Sequence, residues 1–206
     1  GNKMANDQIV RKIAVIFVTD VVGFSKLMEK NEDATLKSLR SCRDIMDTLF
    51  VEHGGRVFNT AGDSVLAEFQ SAVSAVLCAT EFQKLIKQRN ASVEEISQMH
   101  FRVGINMGDV IVEGTNLYGD GVNVAARLEA LSQPGGVSLS KSIHDFVSQK
   151  VELNFADLGN QKVKNTVIHA FDVSIEGVEN RILEAASVKD TEGGIESSRP
   201  PTIAVL

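Results

Sequence analysis

"RVFNTAGDSVLAEF", residues 56–69, decides what kind of sheet this chain builds. Two short strand-like runs flank a Gly62-Asp63 turn, so the chain doubles back as a hairpin, and hairpins make antiparallel pairs. A parallel, doubly wound sheet would need a helix between those runs and is disfavoured. The turn carries an acid, Asp63, and the polar Asn59 precedes it on the incoming strand.

Upstream, "IAVIFVTD" (13–20) is a β-branched run ending in an acid, which reads as a buried strand with a polar end. "VVGFSKLMEK" (21–30) turns into a helix, with Gly23 permitting the tight turn and Ser25 able to cap. From Asp33 to His53, Leu36, Leu39, Cys42, Met46, Leu49 and Phe50 repeat with a helical period, and Gly54-Gly55 stops the helix.

Downstream of the hairpin, Ser71 opens a second amphipathic helix with Ala72, Ala75, Ala79, Phe82 and Leu85 or Ile86 on one face. "HFRVGINMGDVIVEG" (100–114) reads as a strand pair hinged near Met107-Gly108, and "YGDGVNVAARLEAL" (118–131) as a loop feeding a helix. "GGVSLS" (135–140) is a short strand and "SIHDFVSQKV" (142–151) a short helix. "LNFADLG" (153–159) and "VIHAFDV" (167–173) form a last strand pair. This order predicts an α+β fold with helices over a largely antiparallel sheet. The expected layout is a tail over 1–9, a domain over 10–175 and a polar linker over 176–201. "TIAVL" (202–206) then reads as the first strand of a further domain.

The chain has 206 residues and a formal net charge of −6, which argues against nucleic acid as a partner because phosphate-tracking surfaces are basic. Its longest apolar run, "IAVIFV" (13–18), is too short to span a bilayer, so no direct membrane segment is expected. Cys42 and Cys78 fall among apolar helix positions and read as reduced core thiols, which points to a cytoplasmic location.

Two acids open the chemistry. If the hairpin pairs beside strand 13–20, Asp20 and Asp63 meet at one edge of the sheet. Paired carboxylates with oxygen-only neighbours suit Mg²⁺ or Mn²⁺, hard cations that bridge to substrate phosphates. "VVGFS" follows Asp20, and the backbone N–H groups around Gly23, Phe24 and Ser25 could cradle a phosphate. Each element has an ordinary alternative. A strand ending in Asp is also the phospho-acceptor arrangement of a doubly wound receiver, and a Gly-Asp turn is mostly only a turn. Asn123 and Arg127 share a helix face four residues apart, either as a solvated surface or as donors to an anionic transition state. Lys162 and Lys164 lie between two strands, where surface lysines are the default.

Taken in order and spacing, "TDVVGFS", "TAGDSVLAEF", "RVGINMGDVIVEG" and "YGDGVNVAARLEAL" resemble the class III adenylyl/guanylyl cyclase catalytic domain over residues 10–175. The resemblance implies a ferredoxin-like βααββαβ core with additional C-terminal strands. It also implies a head-to-tail homodimer with two sites at the interface. Two Mg²⁺ or Mn²⁺ ions per site would bind Asp20, Asp63 and the Val21 carbonyl, activating the ribose 3′-hydroxyl and bracing the α-phosphate as pyrophosphate leaves. The partner's chain would supply Asn123 near the ribose and Arg127 to the α-phosphate, and Lys164 would reach the terminal phosphates. The implied product from ATP is 3′,5′-cyclic AMP.

The chain departs from the family where the purine is read. Adenylyl cyclases usually place Lys and Asp at the positions that here hold Asn59 and Asn116. An amide carries both a donor and an acceptor, so these residues suit ATP and also leave GTP or low selectivity open. Asp109 stands where a phosphate-facing Arg occurs in some members. A nucleotide-binding regulatory module without turnover is the non-enzymatic alternative. Two clustered acids, which repel unless a cation lies between them, speak for the enzyme.

Overall fold

The computed structural model describes residues 9–181. The first strand, β1 (Val10–Val21), is the hub of the sheet. It pairs antiparallel with β3 (Ser64–Phe69) on one side and with β4 (Phe101–Glu113) on the other. Residues 14 to 19 are buried without alternation because helices cover both faces, which is why the sequence shows an unbroken apolar run.

After β1 come α1 (Phe24–Lys30) and α2 (Glu32–His53). Gly23, in left-handed backbone at φ 64, occupies the cap position of α1 and no side chain caps it. Ser25 lies inside the first turn, so the expected Ser25 cap is not formed. The capping side chain belongs to the next helix, where Asn31 accepts from the Ala34 N–H at 2.9 Å. Gly54, φ 75, ends α2 as its sequence implies.

The hairpin is β2 (Gly55–Ala61) and β3, and α3 (Ala72–Ala91) follows with Ser71 accepting from the Ser74 N–H at 3.2 Å. After a short 3-10 turn at 95–97, β4 runs unbroken for 13 residues. The hinge expected at Met107-Gly108 is absent. Both residues stay in register with β1, Met107 opposite Val15 and Gly108 opposite Ala14. The glycine serves packing instead, since a Cβ there would stand 3.1 Å from the Asn106 amide nitrogen and 3.4 Å from the Gly121 Cα.

A short strand, β5 (Asn116–Tyr118), turns back on β4 and leads into α4 (Asp120–Leu131). The remaining elements are β6 (Val137–Ser140), α5 (Lys141–Val147), β7 (Phe155–Val163) and β8 (Thr166–Val173). The strand order is β2-β3-β1-β4-β6-β8-β7, with β5 beside β4, and the β4–β6 pair is parallel. From β1 to β4 the succession is the expected βααββαβ core.

Alternate β1 side chains serve two cores. Val15, Phe17 and Val21 pack with α2, α3 and α5, where Phe17, Phe50 and Phe69 form a ring cluster with centroids 5.2 to 5.5 Å apart. Ala14, Ile16 and Val18 face the other way, against Val122 and Ala125 of α4. Fully burying a side chain such as Phe17 stabilises by about 1.5–3 kcal/mol. Cys42 and Cys78 are free and buried, and burial pushes their thiols up to about 11 and about 12. The linker and further strand expected over 176–206 lie, past Arg181, outside the described residues.

Candidate active site

The β1–β3 ladder sets the site. Its last paired residues are Thr19 and Val65, so the Asp20-Val21 strand end lies beside the turn that closes the hairpin. Val21 is left without a ladder partner on that side, and the Asp63 carboxylate supplies one. The Val21 N–H donates to Asp63 Oδ2 at 2.8 Å. Gly62, φ 61, gives the turn the left-handed residue it needs before Asp63.

Asp20 is held from β4. It is the register partner of Arg102, whose Nε and terminal nitrogen donate to Asp20 Oδ1 and Oδ2 at 3.3 and 3.0 Å. The same guanidinium lies 3.6 Å from Glu129 of α4 and donates to the Ala130 carbonyl at 3.4 Å. The Asp20, Arg102 and Glu129 side chains are 18, 30 and 7% exposed, so the Asp20–Arg102 ion pair and the Glu129 carboxyl meet away from bulk screening. Burial first, and the adjacent Asp20 carboxylate second, push Glu129 up to about 9. Burial works against the Arg102 charge, and Asp20, Glu129 and Asp63 outweigh it, so its pKa is raised.

This closeness depends on Gly104. A Cβ there would come within 2.1 Å of the Glu129 backbone nitrogen and 2.6 Å of the Ala125 carbonyl, so α4 lies directly on the β4 backbone. Glu129 shares the apolar stripe of Val122 and Ala125. An acid on that stripe was the available signal for this residue, and the sequence reading missed both it and Arg102.

The other candidates make no hydrogen bond or ion pair to this cluster among the described residues. Asn123 is exposed and Arg127 half-buried on α4, and neither side chain has a hydrogen-bond or ion-pair partner among the described residues. Gly23 and Ser25 are exposed at the start of α1, and Phe24 packs against the core. Asn59 follows a bulge in β2 and is exposed, its Oδ1 accepting from the Thr60 N–H at 2.9 Å. Asn116 opens β5, with Oδ1 accepting from the Leu117 N–H at 2.9 Å and Nδ2 donating to the Tyr118 hydroxyl at 3.0 Å. A backbone N–H only donates, so both amide orientations are fixed. Lys162 lies on β7, while Lys164 and Asn165 form the β7–β8 turn at φ 48 and 66, with Lys164 exposed. Asp109 is exposed and pairs with Arg11 at 3.6 Å.

The strand-end acid, the turn acid and the βααββαβ frame narrow the family. Residues 6–174 match the model of the adenylate and guanylate cyclase catalytic domain. The chain is 45% identical over 163 residues to a Rhizobium meliloti (strain 1021) protein named "Putative adenylate cyclase 3", covering 79% of this chain and 28% of that protein. It is 30% identical to an adenylate cyclase of Streptomyces coelicolor, covering 64% of this chain and 33% of the relative. It therefore spans about a third or less of these two curated relatives. Among solved structures, an adenylate/guanylate cyclase/hydrolase from Silicibacter pomeroyi superposes with a TM-score of 0.74 at 38% identity, covering 80% of this chain and 98% of that one. The adenylyl cyclase CyaB from P. aeruginosa gives 0.70 at 25% identity, covering 85% and 98%. With the family model matched along nearly all of the described fold, the chain belongs to the class III adenylate/guanylate cyclase catalytic domain family.

Proposed function

We propose that this domain converts ATP to 3′,5′-cyclic AMP and pyrophosphate at the interface of a head-to-tail homodimer. The observation that carries the reading is the Val21 N–H bond to Asp63 Oδ2 at 2.8 Å, which holds the hairpin-turn acid against the strand end that carries Asp20. Among the described residues no group of three or more His, Cys, Asp and Glu side chains is arranged to hold a metal ion. Two carboxylates and the Val21 carbonyl offer oxygen only. That donor set fits Mg²⁺ or Mn²⁺, which complete their coordination from water and nucleotide phosphates. When bound, the cations lower the pKa of the ribose 3′-hydroxyl and neutralise charge growing on the α-phosphate.

The chain's own groups do the rest. The partner subunit's Asn123 orients the ribose, and the partner subunit's Arg127 donates to the α-phosphate as the 3′-oxygen–phosphorus bond forms and the bond to the pyrophosphate oxygen breaks. The backbone at Gly23, Phe24 and Ser25 and the exposed Lys164 take the remaining phosphates. The fixed Asn59 amide is compatible with adenine as the base. Its oxygen accepts one bond from its own chain, and its N–H groups stay free for the N1 acceptor of adenine. Asn116 keeps a spare oxygen lone pair for the adenine amino group. The buried free thiols suit the reducing cytoplasm.

The test is product analysis of the purified protein with Mn²⁺ and either ATP or GTP. Cyclic AMP from ATP is expected, with Asp20→Ala and Asp63→Ala each abolishing it. Cyclic GMP in excess would reassign the base. Nucleotide binding without product from either substrate would turn the domain into a regulatory module.

A further inference from the structure

Arg102 stands between the Asp20 carboxylate and the Glu129 carboxyl, and the proposed chemistry assigns it no part. It faces Asp20 in register across β1 and β4 and bonds both oxygens of that carboxylate, a planar two-point grip that a lysine could not reproduce. Glu129 lies 3.6 Å away on the other side, and the Asp63 charge is also felt at the guanidinium. Among the described residues no other Lys or Arg pairs with Asp20, Asp63 or Glu129. Its anchorage to the Ala130 carbonyl and the direct seating of α4 on Gly104 keep the guanidinium inside the cluster rather than out in solvent.

From this we infer that Arg102 is a positioning residue that serves as the resident counter-cation of the site. It holds Asp20 and balances the clustered acids in the metal-free protein, and its charge keeps cation affinity low until nucleotide arrives. The inference rests on Asp20 and Asp63 being the metal ligands. With only two carboxylates available, a dication depends on phosphate oxygens to complete its shell, and a fixed positive charge in the same cluster strengthens that dependence. Removing the guanidinium then has two opposite consequences. The acids repel one another and weaken the metal-free fold, while the same uncompensated charge draws a dication more strongly. A residue that merely braced β4 against α4 would produce the first effect without the second.

The experiment is Mn²⁺ titration of the nucleotide-free protein, read from the paramagnetic resonance signal of free Mn²⁺, with thermal melting in EDTA and in Mn²⁺. Arg102→Met removes the charge at similar length. Arg102→Gln removes it while keeping a hydrogen bond to Asp20, and supplies the answer should the methionine variant not fold. Both are expected to bind Mn²⁺ about tenfold more tightly than the wild type. Both should also melt lower in EDTA and recover in Mn²⁺. Arg102→Lys keeps the charge and should stay near wild-type affinity. Unchanged or weaker Mn²⁺ binding by both neutral variants overturns the inference. Asp20→Asn separates the two layers. If it binds Mn²⁺ as the wild type does, the metal-site reading falls and takes the inference with it. If it loses binding while the neutral Arg102 variants gain none, only the role of Arg102 falls.

Discussion

Glu129 occupies a helix position that packing reserves for apolar side chains, and it stays there because it keeps its proton. Its carboxyl is raised from 4.5 to about 9, so between those values the folded chain holds a proton that the unfolded chain has released. Stability therefore falls as pH rises through that window and levels off above the folded value. Glu129→Gln keeps the shape and cannot titrate. Denaturant unfolding in EDTA at several pH values should show this slope flattened, with the variant gaining on the wild type towards high pH. Arg127 is the opposite kind of residue, half-buried and, among the described residues, without a protein partner. Arg127→Ala should lower turnover by about 10²–10³, the effect of losing a preorganised transition-state donor. Its unfolding free energy should move by no more than about 0.5 kcal/mol, as for other surface positions. Equal losses of turnover and stability would mark Arg127 as structural.

Among the elements, the packing of α4 on β4 matters most for the site, because α4 carries Asn123, Arg127 and Glu129 together. Gly104→Ala would push a methyl group into helix backbone at 2.1 Å, where no side-chain rotation relieves the clash. The helix must lift, so a stability loss of about 3 kcal/mol is expected by chemical denaturation, with cyclase activity falling alongside. The long helices were legible in advance because their apolar positions repeat over many turns. The β4 break at Met107-Gly108 was misread because a glycine in a strand signals a bend and a close approach equally well, and only the neighbour at Gly121 distinguishes them. The three-residue β5 has no period to detect. The Ser25 cap failed because Gly23 already provides the left-handed residue that starts α1.

For the molecule as a whole, one chain holds Asp63 against the Asp20-Val21 strand end and, among the described residues, leaves Asn123 and Arg127 without protein partners, a division that suits a site completed by a second copy. Mixing an Asp63→Ala chain with an Arg127→Ala chain tests this directly. In a 1:1 mixture half the dimers are mixed and each holds one intact site of two, so activity should return to roughly a quarter of wild type. No recovery after verified subunit exchange would place Asp63 and Arg127 in one chain's site. The fold class, the hairpin acid and the strand-end acid were readable in the linear order, because periodicity, turn residues and spacing are local properties. The Asp20–Arg102–Glu129 network was not. Its members are far apart in the chain and meet only through a strand register and a glycine-permitted helix contact. Sequence alone named the acids, and tertiary packing decided which cation and which buried carboxyl stand beside them.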